Sequence, residues 1–124
     1  MSDLKFTKDH ECLRVEGNVA VIGITEYAQH ALGDLVFVEL PKVGASYKKG
    51  AHFAVVESVK TAAEVYTPVS GEIVAANDAL SGDPELIKKS FEDGWLAKIK
   101  MTDAAEIAGL MDQAAYDAYL KTLD

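Results

Sequence analysis

Short apolar runs broken by turn residues fill the first 80 positions, and helical spacing is concentrated in positions 81–124. Residues 13–15 and 19–24 are β-prone and flank Glu16-Gly17-Asn18, the turn chemistry of a hairpin. Val36-Phe37-Val38-Glu39-Leu40 reads as a strand ended by Pro41, and residues 43–50 read as loop and turn. Residues 53–56 and 63–66 form a second strand pair. Pro68-Val69-Ser70-Gly71 is a turn into the strand Glu72-Ile73-Val74-Ala75. Gly44, Gly50 and Gly71 are assigned turn conformations closed to other residues.

Helix signals are local and specific. Thr25 caps a short helix, Glu26–Leu32, and Gly33 stops it. Asp83 caps another, with Pro84 at its first position, where a missing N–H costs nothing. Gly94 precedes a strand at 95–100, whose in–out alternation is imperfect; Trp95 is assigned to the core. Asp103 and Glu106 form a capping box, and Gly109 stops or bends that helix. Asp112 caps the last helix, with Tyr116, Tyr119, Leu120 and Leu123 on a face packed against the strands. Short strands with glycine turns suggest a compact barrel or sandwich with helices outside. No repeat or linker interrupts residues 1–124, which read as one domain.

Charge narrows the partners. Twelve basic against twenty acidic residues gives 12 − 20 = −8, which disfavours nucleic acid and anionic membrane. It suits transient docking to basic surfaces. A single cysteine, Cys12, excludes an internal disulfide framework and reads as a small buried thiol. The N-terminal stretch has neither the apolar segment of a signal peptide nor the bias of a transit peptide, and no apolar run could span a membrane. The expected location is the cytoplasm of a bacterium, or a mitochondrial matrix for a processed chain.

Enzyme signatures are missing. There is no nucleophile elbow, phosphate loop or dinucleotide fingerprint, and His10, His30 and His52 lack metal-ligand spacing. The informative segment is Glu57-Ser58-Val59-Lys60-Thr61-Ala62-Ala63-Glu64. β-prone runs enter and leave it, so Lys60 lies near the tip of a hairpin spanning about 53–66. A lysine at a turn is ordinarily just solvated. Here it stands between two carboxylates, Glu57 and Glu64, on a hairpin held at its base by the following turn. A protruding amine on a rigid turn is what an enzyme needs to acylate one lysine among eleven.

Glu57-Ser58-Val59-Lys60 followed by Pro68-Val69-Ser70-Gly71-Glu72 closely resembles the lipoyl attachment region of the glycine cleavage system H proteins. The resemblance runs over nearly the whole chain. It takes in His10-Glu11, Val21-Ile22-Gly23-Ile24-Thr25-Glu26, the stretch from Leu32-Gly33-Asp34 to Leu40-Pro41, Ala76-Asn77-Asp78, Pro84-Glu85-Leu86-Ile87 and Gly94-Trp95. It implies a mainly β, barrel-sandwich hybrid fold with short peripheral helices and a C-terminal helical segment at about 103–123. It implies lipoate joined covalently to Lys60, with Glu57, Ser58 and Val59 read by the lipoylating enzyme. It implies a carrier without turnover of its own, serving three enzymes. A pyridoxal-phosphate glycine decarboxylase loads the aminomethyl group, a folate-dependent aminomethyltransferase removes it, and dihydrolipoamide dehydrogenase reoxidises the arm. By the same resemblance, the loaded arm folds into a surface cleft where Glu11 and Glu64 meet its amine.

The family usually carries an aromatic residue, commonly Trp, where this chain has Cys12. A thiol fills far less volume, so packing beside the cleft is expected to differ. Other readings stay open: an H-like protein relaying lipoyl groups to other enzymes, an unmodified acidic interaction module, or a stand-alone enzyme using an installed arm. A biotin carrier fits less well, because Val59 and Thr61 replace the methionines of its usual Met-Lys-Met tip.

Overall fold

The computed structural model describes residues 4–123, apart from the side chain at position 104. The hairpin signal at Gly17 is realised as β2 (Glu11–Glu16) and β3 (Val19–Ile24), after a short β1 (Leu4–Phe6). Glu16 pairs with Val19, so the turn is the two residues Gly17 and Asn18, with Gly17 at φ 65°. Helix α1 (Glu26–Leu32) starts on Thr25, whose hydroxyl accepts the Ala28 N–H, and ends at Gly33 with φ 79°. Strands β4 (Leu35–Glu39), β5 (Ser46–Tyr47), β6 (His52–Ser58), β7 (Ala62–Tyr66) and β8 (Gly71–Ala76) follow. Then come α2 (Ala79–Gly82), a 3-10 turn Pro84–Lys88, α3 (Phe91–Gly94) and β9 (Ala97–Met101). A second 3-10 turn, Ala104–Gly109, leads to α4 (Gln113–Lys121).

Two antiparallel sheets enclose the core. One runs β1-β2-β3-β9-β8-β5 and the other β4-β6-β7. Leu13, Ile22, Ile73, Leu80, Leu96 and Ile99 are fully buried between them. A smaller cluster of Phe6, Cys12 and Tyr116 seats α4 on the outer face of β1 and β2. There the Phe6 and Tyr116 rings stack at 4.6 Å, and Phe6 and Met111 exchange backbone hydrogen bonds.

Several local expectations need correction. Residues 46 and 47, read as loop, pair with Gly71 and Glu72, because the turn at Gly44 brings them against β8. Helices α2 and α3, one turn each, carry no signal in the hydrophobic pattern, because they have no room for amphipathic periodicity. Asp83 makes no side-chain cap, and the segment after it is 3-10. The capping box is half formed. Asp103 accepts the Ala105 N–H, but Glu106 turns away and accepts from Ser70 N and Ser70 Oγ at 2.6 and 2.9 Å. Trp95 is half-buried rather than core, precedes β9, and lies beneath Lys98 Nζ at 5.0 Å. Leu123 lies past α4 and is 40% exposed. Gly71 is required for close approach, not for a turn: a β-carbon there would overlap the Lys100 carbonyl oxygen on β9. Among the described residues no helix is long and apolar enough to cross a membrane.

Candidate functional site

Lys60 sits in the three-residue connection between β6 and β7 and is exposed. The tip is built by Ser58. Its backbone N–H donates to Thr61 O at 2.7 Å, and its Oγ accepts the N–H groups of Lys60 and Thr61 at 3.2 and 3.1 Å. A hydroxyl that holds successive amides in this way rigidifies a tight turn. Val59 N–H donates to Asp34 O at 3.0 Å, tying the tip to the end of α1. Below it, Glu57 pairs with Ala62 and Phe37, so the hairpin rests on three strands. Ser58 is therefore buried inside the turn, Val59 is 67% exposed beside the lysine, and Glu57 is half-buried. The lysine stem lies against Gly33: a β-carbon placed there would stand 3.3 Å from Lys60 Cε.

Behind the hairpin, a cleft of about 200 Å³ opens between α1 and the β6–β7 sheet. Its wall is mostly apolar, with Ile24, Ala28, Ala31, Leu32, Val56, Ala63 and Val65. The polar exceptions include Glu11 and Glu64, so the structure brings together two carboxylates 53 positions apart in the chain. They are not alike. Glu64 is exposed and accepts the Tyr66 hydroxyl at 3.0 Å. Glu11 is only 3% exposed, unlike a solvated surface carboxylate. It accepts the Thr7 hydroxyl at 2.7 Å and the Tyr66 N–H at 3.2 Å. Thr7 and Tyr66 escaped the sequence reading, since neither belongs to a catalytic motif. Only the folded contact reveals them.

Burial dominates the titration of Glu11 and pushes its carboxyl up to about 7, against the two hydrogen bonds and with help from Asp9. The folded protein thus holds this proton more tightly than the unfolded chain. Glu11 costs nothing below pH 4.5, costs more as the pH rises, and levels off above about 7. The plateau is about 3 kcal/mol, at 1.36 kcal/mol per pKa unit. Glu11→Gln is expected to flatten the loss of thermal stability between pH 5 and pH 8. Parallel melting curves for the two proteins across that range would contradict this origin.

Cys12 follows Glu11 on β2, and neighbouring strand residues face opposite ways. It lines a neighbouring groove of about 360 Å³ with Phe6, Gly23, Phe91 and Tyr116, which shares Ile24 and Tyr27 with the cleft, and burial pushes its thiol up to about 12. The small side chain therefore packs under α4 with Phe6 and Tyr116 and does not itself line the cleft bearing Glu11 and Glu64.

The profile of the family described as Glycine cleavage H-protein matches residues 4–123. The chain is 55% identical over 125 residues to a glycine cleavage system H protein of Paramagnetospirillum magneticum, each covered in full. It is 57% identical over 118 residues to one from Phenylobacterium zucineum, covering 94% of this chain and 98% of the relative. The crystal structure of a glycine cleavage system H protein from Mycobacterium marinum superposes with a TM-score of 0.87 at 34% identity, covering 98% of both chains. An exposed lysine on a braced hairpin beside a carboxylate-bearing cleft, in a two-sheet fold matched at this level, places the chain in the glycine cleavage H-protein family, the lipoyl carriers of the glycine cleavage system.

Proposed function

We propose that Lys60 is the lipoylated residue, and that the protein shuttles the aminomethyl group of glycine from the decarboxylase to the aminomethyltransferase on that arm. Dihydrolipoamide dehydrogenase then reoxidises it. The observation that carries this reading is the pairing of one exposed, braced lysine with an adjacent apolar cleft holding two carboxylates. When bound, the lipoyl group supplies the disulfide–dithiol couple that takes up and gives back the one-carbon unit.

The residues of this chain fit such an arm. Lys60 offers an amine that an amide bond would neutralise. Glu57, Ser58 and Val59 form the face approached by the lipoylating enzyme, with Ser58 acting through the shape of the turn. Gly33 leaves room for the lysine stem. Apolar walls suit an aliphatic chain and exclude water. Glu64 supplies negative charge for a protonated amine. The arriving cation draws Glu11, whose proton burial holds up to about pH 7 in the empty cleft, to its ionised form, in a desolvated position where a charge-assisted hydrogen bond counts most. Tethering raises the effective concentration of the cargo at each partner. No residue of the cleft has to perform turnover, so we read the protein as a carrier and shared substrate. Its bacterial relatives support a cytoplasmic site of action.

Intact mass before and after incubation with lipoate and a lipoate–protein ligase, followed by peptide mapping, tests the assignment. One lipoyl group confined to Lys60 is expected. A folded protein left unmodified by an active ligase would favour an unmodified interaction module instead. In the loaded protein, Glu11→Gln is expected to speed loss of the aminomethyl group about tenfold. Glu64→Gln should speed it only about twofold, because exposed pairs contribute little. Equal decay of wild type and Glu11→Gln would remove Glu11 from the amine site.

A further inference from the structure

His10 joins the C-terminal helix to the cleft. Its Nδ1 lies 2.8 Å from the Tyr116 hydroxyl on α4, which lies 2.8 Å from Thr25 Oγ1 at the start of α1. Its ring stacks on Tyr27 at 4.4 Å and lines the same cleft as Glu11. We propose that Tyr116 is a positioning residue for the cleft: it fixes His10 as the neutral tautomer with its proton on Nε2, so that an uncharged ring, not a competing cation, flanks Glu11. This rests on the reading of the cleft as the seat of a cationic amine.

Hydrogen accounting sets the direction of the relay. Thr25 is buried, and its Oγ1 already accepts the Ala28 N–H. Its own hydrogen needs an acceptor, and Tyr116 Oη supplies one. Tyr116 is then left to donate its hydrogen to Nδ1 of His10, which must be unprotonated to accept it. The reverse arrangement would strand the Thr25 hydrogen in a buried site. The backbone allows the ring little freedom. His10 adopts φ 71°, rare for an L side chain, and is clamped there by His10 N–H to Thr7 O at 3.1 Å and Thr25 N–H to His10 O at 2.9 Å.

An imidazolium would need a hydrogen on Nδ1 pointing at Tyr116, and so would break the relay. The groups facing His10 are Asp9 and Glu11 from its own segment, Tyr27 from α1, Tyr116 and Tyr119 from α4, and Glu64 along the cleft wall. Asp9 favours the cation. Burial outweighs it and moves His10 below the ordinary histidine value. Were the ring charged, it would stand in the cleft as a second cation competing with an incoming amine.

Imidazole ¹⁵N shifts of the unlipoylated protein test the relay without any arm. Wild-type His10 is expected to show a protonated Nε2 and a bare Nδ1 at pH 7, titrating below about 6.5. Tyr116→Phe keeps the ring that stacks on Phe6 but lacks the hydroxyl. It should populate both tautomers and titrate higher, while Thr25→Ser keeps the wild-type pattern. In the loaded protein, Tyr116→Phe should speed aminomethyl loss about threefold to tenfold at pH 6 and converge on wild type by pH 8. A proton on Nδ1 in wild type, an unchanged tautomer and titration in Tyr116→Phe, or equal decay at pH 6 would each overturn the proposal. Failure of Lys60 to accept lipoate would instead overturn the arm reading, and the ¹⁵N measurement tells the two apart.

Discussion

Lys60→Arg is expected to keep the fold and abolish carriage. Arginine retains the charge and the length, but its guanidinium stays protonated and offers no amine for amide formation. The position is an exposed tip whose backbone geometry is set by Ser58 and Asp34, not by the lysine side chain. Stability should therefore change by no more than about 0.5 kcal/mol, the range for surface substitutions away from packed features. Incubation with lipoate and ligase should add no mass, and glycine decarboxylation supported by the variant should fall to background. A normal decarboxylation rate with a well-folded Lys60→Arg protein would end the assignment of this residue.

Gly71→Ala is expected to destabilise the fold strongly. Gly71 is buried at the start of β8 where it pairs with β9, opposite Met101. A β-carbon there would overlap the Lys100 carbonyl oxygen and stand 2.8 Å from its carbon and 3.1 Å from Ile99 Cγ1. The obstacle is backbone of a strand held on both sides, by β3 and β8, so no side-chain rotation relieves it. Overpacking of this kind costs about 3 kcal/mol, a large share of the stability of a small domain. The melting temperature should drop by about 10 °C. Gly109→Ala is the control: the same methyl group meets open space, and φ there is not in the left-handed region. It should leave stability within about 1 kcal/mol. Equal melting temperatures for Gly71→Ala and wild type would show that β8 and β9 do not approach this closely.

What could be read in advance divides by range. The hairpin at Gly17, the Thr25 cap, the stop at Gly33 and the strands around Lys60 were legible, because each depends on a few neighbouring residues. The one-turn helices and β5 were not, since elements of two to four residues carry no periodicity. Glu106 shows how a local rule yields to packing. Its spacing from Asp103 satisfies a capping box, yet the Ser70 amide and hydroxyl compete for the same carboxylate and win. The chain order around Gly71 suggests a conformational role, whereas the folded structure gives it a steric one.

The site divides in the same way. The sequence alone determined that a lysine would stand at a hairpin tip between two carboxylates, and through its resemblance pointed to a lipoyl carrier. Tertiary structure decided which acid matters and how. Glu11 reaches Tyr66, 55 positions away, and that packing removes it from water while leaving Glu64 exposed. It also decided that Cys12 belongs to the groove under α4, and that Tyr116 from the last helix meets His10 from the first turn. Turn and cap chemistry acts between near neighbours and is written in their order. Desolvation and hydrogen-bond pairing between distant residues arise only when the strands carrying them close around a common core.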